Sequence, residues 1–168
     1  KTNLDQFATG LVGVRSPYGH PRNAIDPEIV PGGSSSGSAV AVAHGIVSFA
    51  LGTDTAGSGR VPAALNNIVG LKPSLGAWSA RGSVPACRSV ETISVFAPCV
   101  EDAYVVFQAG CVFDEHDAYA KPIVAPDLSV PPTQLSVAVP SRETRKFFGD
   151  IQQAASFEDN LRLLAASG

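Results

Sequence analysis

The sequence predicts an α/β fold with an open, largely parallel or mixed β-sheet. Short apolar runs rich in β-forming residues alternate along the chain with segments of helical character, and this alternation is typical of α/β proteins. Hydrophobic residues make up 45% of the 168 residues and charged residues only 16%, so much of the chain is expected to be interior. The 16 Gly and 13 Pro predict many turns and constrained loops.

The first element that the pattern predicts with a clear start and end is a buried helix over Ser36–His44. Its residues are small or apolar on all sides, which is typical of a helix inside a protein, so His44 is interpreted as an interior residue. Gly45 stands where a helix would end. Residues 1–33, which precede this helix, are rich in proline, and this excludes long regular elements. One short helix is expected there, at Asp5–Ala8.

The other predicted elements follow from apolar runs and from helix start and stop signals. The acidic residues Glu101 and Asp102 favour the N-terminal end of a helix, and Gly110 marks its stop. A loop-rich region separates that helix from the elements before it. The predicted strands are Ile46–Leu51, Ile68–Leu71 and Leu135–Val139, and the further helices are Pro62–Asn66, Val100–Ala109 and Ile151–Ala166.

Composition and charge exclude several classes of function. The net charge is −3 and no basic run stands out, which argues against nucleic-acid binding. No run approaches the ~18 apolar residues of a membrane span, and no signal peptide is expected. Three cysteines are too few and too odd in number for a disulfide framework, and they lack zinc-site spacing. Buried free thiols, a cytoplasmic location and no metal or organic cofactor are therefore expected.

Two glycine- and hydroxyl-rich loops lie at predicted strand–helix junctions. The first, residues 32–38, could hold an anion at the start of the following helix, or its serines could simply cap that helix. In the second, residues 52–59, small residues precede Ser58. Backbone N–H groups can converge there as an oxyanion hole requires, and Ser58 is placed like a nucleophile.

A nucleophilic serine needs a base, and the histidines do not provide a convincing one. His44 is interpreted as interior, while His20 and His116 lie in irregular polar segments with no accompanying Asp pattern. A Ser-Lys arrangement must therefore be considered. The four lysines of the chain are Lys1, Lys72, Lys121 and Lys146.

These loops carry a resemblance to a known family. Pro31–Ala39, Gly52–Ala63 and Gly70–Pro73 together resemble the amidase signature family, and Lys1–Ala8 resembles the run that precedes its serine loop. The resemblance covers nearly the whole chain. Within the family, the chain is most similar to the allophanate hydrolases through Ser34–Ser38, Ser58–Arg60, Gly13–Gly19, Arg81–Ser89 and Phe147–Asp150.

The resemblance implies the amidase-signature fold, a mixed sheet covered by helices on both faces, with residues 1–168 as part of a single amidase domain. It also implies hydrolysis of a C–N bond in a small urea-derived substrate, allophanate, giving ammonia and carbon dioxide. The alternatives are a general amidase, the A subunit of a glutamine-using amidotransferase, or a catalytically incomplete, non-enzymatic fragment. The implied partners are a small-molecule amide, a second copy in a homodimer, and a functional link to a urea carboxylase.

The resemblance further implies a triad of a serine, a serine after a cis peptide bond, and a lysine. Ser58 matches the nucleophile and Ser34 the bridging serine. The backbone N–H groups of Thr55, Ala56, Gly57 and Ser58 match the oxyanion hole. An Arg is expected to bind the substrate carboxylate, and the candidate substrate-binding residues are Arg88, Arg81, Arg15 and Ser35.

The lysine is the main departure from the family pattern. The family's catalytic lysine lies several dozen residues before the first serine loop, whereas 33 residues precede Ser34 here. Lys72 matches a lysine interpreted as structural, so the isolated chain is expected to be inactive. Arg60 is expected to pair with Asp54 and brace the oxyanion loop, and Glu91 stands near a position where the family often has Asp.

Overall fold

The computed structural model describes residues 1–128 and 136–166, which belong to two compact units, Lys1–Pro126 and Asp127–Gly168. Within the described residues, the first unit has helices α1 (Ser36–Ala43), α2 (Arg60–Leu65) and α3 (Val100–Gly110) and strands β1 (Ala50–Asp54), β2 (Val69–Leu71) and β3 (Thr92–Ala97). The second unit has helix α4 (Ile151–Ala166). None of these helices has the length and apolar content that crossing a bilayer requires. That all 168 residues belong to one larger domain stays a prediction.

Strand β3 lies in the centre of the sheet and pairs antiparallel with β1 on one side and β2 on the other. In the first ladder Ala50 lies opposite Phe96 and Asp54 opposite Thr92. The largely parallel or mixed sheet expected from the sequence thus differs from the described sheet, where both pairings are antiparallel. The difference arises because the sequence pattern predicts a loop over Lys72–Pro98, so the central strand is missing from the prediction.

Helices cover both faces of this sheet, as the resemblance implies. Phe96 is fully buried and packs on one face against Ala39 and Val42 of α1 and Ala63 of α2. Its neighbours in β3 are Val95 and Ala97, which pack with Ala103 of α3. Because successive side chains of a strand point to opposite faces, α3 covers the face opposite to α1 and α2.

The predicted helices are confirmed more closely than the predicted strands. The helix predicted for Ser36–His44 is α1, although His44 is its exposed C-cap and not an interior residue. The strand predicted for Ile46–Leu51 is shifted, since β1 begins at Ala50. The helix predicted at Asp5–Ala8 is wrong, because that segment forms a turn. The cysteines are free, but the prediction that they are buried is wrong, since one is exposed and two are half-buried.

In the second unit, α4 has the bounds that the sequence predicts. None of its residues is buried. Arg145 Nη1 lies 2.6 Å from Glu158 Oε1, and the Arg145 guanidinium lies 4.9 Å from the centre of the Phe157 ring. Of the predicted strand Leu135–Val139, Leu135 is outside the described residues and 136–139 form no strand.

Candidate active site

The first serine loop is wrapped by the N-terminal segment of the chain. The Gly33–Ser34 peptide bond is cis, as expected from the resemblance, and Ser34 is buried. The Asp5 amide donates to the Ser34 carbonyl at 2.9 Å, and the Gly33 amide donates to the Leu11 carbonyl at 2.8 Å. Backbone hydrogen bonds from outside the loop therefore fix the position of Ser34.

A buried carboxylate organises this wrapping segment. Asp5 is fully buried, and its carboxylate accepts hydrogen bonds from the Gly13 amide at 2.9 Å and the Arg15 amide at 2.6 Å. The serine loop packs so closely against it that a Cβ atom on Gly33 would lie 2.7 Å from Asp5 Oδ2. A side chain at position 33 would displace either the Asp5 carboxylate or the serine loop, so only glycine fits there.

The serines of the first loop fasten helix α1 to strand β1. Ser35 is the N-cap residue, but its side chain makes no capping hydrogen bond. Its Oγ accepts from the Thr53 amide at 3.2 Å, and Ser38 Oγ donates to the Leu51 carbonyl at 2.8 Å. The alternative in which the serines only cap the helix is therefore wrong.

The second serine loop folds around the carboxylate of Asp54, at the end of β1. Asp54 is fully buried and accepts from the amides of Gly57 at 2.8 Å, Gly59 at 3.2 Å and Arg60 at 3.1 Å. The Arg60 guanidinium donates Nε to Oδ2 at 2.9 Å and Nη2 to Oδ1 at 3.0 Å. The predicted pairing of Arg60 with Asp54 is confirmed.

These contacts keep Asp54 ionised. Burial alone would raise the pKa of Asp54, but the hydrogen bonds from Arg60 and from the Gly57 and Arg60 amides, together with the charge of Lys72, lower it well below its ordinary value of 3.8. Hydrogen bonds and nearby cations favour the charged form of a carboxyl group. At neutral pH the loop is therefore organised around a full negative charge.

Lys72 fastens the same loop to the segment before β3. Its Nζ lies 2.7 Å from the Asp54 carbonyl, 3.2 Å from the Thr55 carbonyl and 3.0 Å from the Val90 carbonyl. The ammonium group also lies 3.3 Å from Asp54 Oδ1. These contacts agree with the structural role that the resemblance implies for Lys72.

The two serine loops meet through their backbones. The Ser35 amide donates to the Ser58 carbonyl at 3.2 Å, which places Ser58 against the residue that follows Ser34, and Ser58 is also buried. Ser34 and Ser35 line a pocket of about 350 Å³ together with Leu4, Phe7, Leu51, Thr53, Ser83 and Val84. A small molecule in this pocket would be in reach of the first loop.

The amides expected to form the oxyanion hole have different environments. The Gly57 amide donates to the Asp54 carboxylate, so it is already engaged. Among the residues that the structure describes, no acceptor faces the amides of Thr55, Ala56 and Ser58. These three N–H groups are the ones free to receive a developing negative charge.

The candidate arginines do not line the Ser34 pocket. Arg15 donates Nη1 to the Thr9 carbonyl at 2.7 Å. Arg81 and Arg88 line a neighbouring cavity of about 270 Å³, which shares Ser83 with the Ser34 pocket. Arg81 Nε also donates to Asp114 Oδ2 at 2.8 Å. This hydrogen bond, together with those from the His116 amide and the Ser79 hydroxyl, lowers the pKa of Asp114 to about 2.

A contact of the second loop is not predicted from the sequence. Thr55 Oγ1 donates to Glu91 Oε2 at 2.9 Å, and Glu91 is 3% exposed. The only sequence signal for it is that Glu91 stands near a position where the resemblance leads one to expect Asp. In the described ranges, no three His, Cys, Asp or Glu side chains converge as a metal site requires.

Comparison with known families agrees with this geometry. The family described as Amidase matches residues 1–168. This chain belongs to the amidase family. The resemblance of its two serine loops to that family is confirmed.

Three similar proteins illustrate the relationship. Urea amidolyase of Saccharomyces cerevisiae is 48% identical over 169 residues, which cover 100% of this chain and 9% of that protein. The A subunit of glutamyl-tRNA(Gln) amidotransferase from Streptococcus pneumoniae is 46% identical over 129 residues, 77% of this chain and 26% of that protein. A solved structure of Kluyveromyces lactis allophanate hydrolase has a TM-score of 0.72 and 57% identity, covering 73% of this chain and 20% of that one. The chain therefore spans about a tenth to a quarter of the length of these proteins.

Proposed function

We propose that the complete protein hydrolyses the C–N bond of a small urea-derived amide, allophanate, with Ser58 as the nucleophile. The observation that carries this proposal is the hydrogen bond from the Ser35 amide to the Ser58 carbonyl, which joins the two loops that contain the buried Ser34 and Ser58 beside free backbone amides. The similarity to urea amidolyase and to allophanate hydrolase supports the choice of substrate.

The proposed reaction proceeds through a covalent acyl-enzyme. A neutral lysine takes a proton from Ser34, which takes the proton of Ser58, and Ser58 Oγ attacks the amide carbonyl. The C–N bond then breaks, ammonia leaves with the returned proton, and water releases the acyl group from Ser58. Lys72 is not assigned as the base, because Nζ is surrounded by the Asp54, Thr55 and Val90 carbonyls. The base is assigned to a lysine of the complete protein outside these 168 residues.

The oxyanion of the tetrahedral intermediate is assigned to the amides of Thr55, Ala56 and Ser58. Each of them lacks an acceptor within the described part of the chain, and donors aimed at the developing charge are worth about 10²–10³ in kcat each. The Gly57 amide, expected as a fourth donor, shapes the loop through Asp54 instead.

For the substrate carboxylate, Arg88 is the preferred candidate among the arginines. It lines the cavity beside the Ser34 pocket and has no ion pair with any described residue, whereas Arg81 is paired with Asp114. The Arg15 guanidinium donates a hydrogen bond to the Thr9 carbonyl, and Ser35 Oγ accepts one from the Thr53 amide. Both are less favoured as substrate ligands.

The partners proposed for the complete protein are a small amide, a second copy in a homodimer, and a functional link to a urea carboxylase. The name of the yeast relative, urea amidolyase, supports an assignment to urea breakdown, in which such a link fits. A second candidate function is that of an amidotransferase component that takes ammonia from glutamine. The 46% identity to the glutamyl-tRNA(Gln) amidotransferase chain favours it.

Ammonia release from different amides distinguishes these functions. The complete protein is incubated separately with allophanate, glutamine and a simple aliphatic amide, and kcat/KM is measured for each. We expect allophanate to be consumed with a kcat/KM at least 100-fold above the other two, because only allophanate presents a carboxylate next to its ureido group. Preferred use of glutamine or of the simple amide would contradict the allophanate assignment, and no ammonia from any of them would favour a non-enzymatic role.

A further inference from the structure

We propose that Glu91 is a positioning residue for the oxyanion loop and acts through the hydroxyl group of Thr55. The inference rests on the proposed function, since it assigns Glu91 a part in the reaction of Ser58. Glu91 itself is not assigned any contact with the substrate. Its carboxylate instead fixes the place where the chain leaves β1 and enters the second serine loop.

One carboxylate oxygen of Glu91 joins two loops. Glu91 Oε2 accepts from Thr55 Oγ1 at 2.9 Å and from the Ala86 amide at 2.6 Å. The residue is 3% exposed, so water does not compete freely for these bonds. The loop after β1 and the loop before β3 are therefore linked through a single buried acceptor.

The link continues the sheet beyond its last backbone pair. Asp54 and Thr92 form the final pair of the β1–β3 ladder, and Thr55 and Glu91 are the residues that follow outward from it. Lys72 reinforces the link, since its Nζ lies within hydrogen-bond distance of the Thr55 and Val90 carbonyls. Thr55 is thus held through both its side chain and its backbone.

The second oxygen of Glu91 indicates that the residue is not kept for stability alone. Oε1 is buried and has no hydrogen-bond partner among the described residues. A buried acceptor without a donor destabilises the folded protein, and more so when the acceptor is charged. An apolar side chain at this position would avoid that cost, but it would leave the Thr55 hydroxyl without its acceptor.

Fixing Thr55 matters because its amide is one of the three proposed oxyanion donors. A rotation of this peptide would turn the N–H away from the developing charge while leaving the pocket that binds the ground state unchanged. Interactions made only in the transition state change kcat and not KM. A loss of positioning should therefore appear as a lower kcat at an almost unchanged KM.

The test uses four variants of the complete protein with the amide substrate that it consumes. Glu91→Ala removes the acceptor, and Thr55→Val removes the donor at nearly constant shape. We expect each substitution to lower kcat about 10- to 100-fold and to change KM less than twofold. This decrease in kcat is no larger than the one caused by removing a whole oxyanion donor. Glu91→Gln keeps a carbonyl oxygen for both hydrogen bonds and should retain kcat within about fivefold. The double variant should be no slower than the slower single variant, because both changes break one contact.

Thr92→Val is the matched control. Thr92 is a neighbouring buried threonine whose hydroxyl has no hydrogen-bond partner among the described residues. The kcat of Thr92→Val should therefore equal that of the wild type. Wild-type kcat in Thr55→Val, additive effects in the double variant, or a change confined to KM would overturn the inference. Should Glu91→Ala fail to fold, Thr55→Val decides alone. Ammonia release that persists in Ser58→Ala overturns the proposed function instead, so the two failures are distinguishable.

Discussion

Replacing Ser58 with alanine in the complete protein is expected to lower kcat for ammonia release by about 10⁵- to 10⁶-fold, as for other serine nucleophiles. The fold should survive, because the loop contact of Ser58 uses its backbone carbonyl and not its hydroxyl. Alanine keeps that carbonyl and removes only Oγ. Steady-state ammonia release, together with the thermal unfolding midpoint, measures both parts of this expectation.

The matched control for this variant is Ser48→Ala, an exposed serine outside both loops, which should retain wild-type kcat. A Ser58→Ala protein that is folded and still releases ammonia at more than about a hundredth of the wild-type rate would contradict the assignment of the nucleophile. A mass increase of wild-type protein by the acyl group during turnover, absent from Ser58→Ala, would further identify Ser58 as the residue acylated.

Replacing Asp54 with alanine is expected to destabilise the second serine loop by about 3 kcal/mol or more, because three backbone amides lose their buried acceptor and each unsatisfied buried donor costs about 1–3 kcal/mol. The carboxylate is the common acceptor of three backbone amides and the Arg60 guanidinium. Hydrogen exchange of the peptide that covers residues 54–65 in the complete protein reports the free energy of opening of this loop.

Asp114→Ala is the matched control for the loss of Asp54. Asp114 also pairs with an arginine, at 2.8 Å from Arg81 Nε, but the Arg81 side chain is 61% exposed and that of Asp114 is 19% exposed. A pair so open to water contributes about 1 kcal/mol or less, so exchange of its own loop should change little. Equal effects of the two substitutions would contradict the view that burial around Asp54 decides the stability of the oxyanion loop.

The contribution of Asp54 to the stability of the folded protein should also depend on pH. Its pKa is lowered in the folded protein, so its stabilisation is complete above the ordinary value of 3.8 and is lost only as the pH falls towards the lower folded pKa. The difference in thermal midpoint between wild type and Asp54→Asn should therefore be constant from pH 5 to 7 and narrow below about pH 3.8. A difference that grows towards acid pH would contradict this assignment.

Local signals predict the helices and the motif loops well. The small and apolar composition of Ser36–His44 places α1 to within one residue, and acidic residues before Gly110 place α3. The pairing of Arg60 with Asp54 is also predicted, in the context of the resemblance to the amidase family.

Contacts between segments that are distant in sequence could not be predicted from the sequence. Strand β3 is missed because it ends a stretch in which Pro73, Gly76, Gly82 and Pro85 predict loops, and the predicted loop-rich region includes its six residues. The hydrogen bond between Thr55 and Glu91 spans 36 residues, and nothing in either local segment specifies it. His44 is misassigned for a different reason, because the prediction extends the apolar composition of the helix to its last position, which is an exposed C-cap.

The second serine loop and the N-terminal segment that wraps the first serine loop each take their shape from a carboxylate that lies close in sequence to the amides it binds. Asp54 binds amides three to six residues further along the chain, and Asp5 binds amides eight and ten residues further along. Closing such short segments costs little chain entropy, since this cost grows only with the logarithm of loop length. The curvature of the second serine loop and of the wrapping segment thus depends on carboxylate–amide contacts between residues at most ten positions apart.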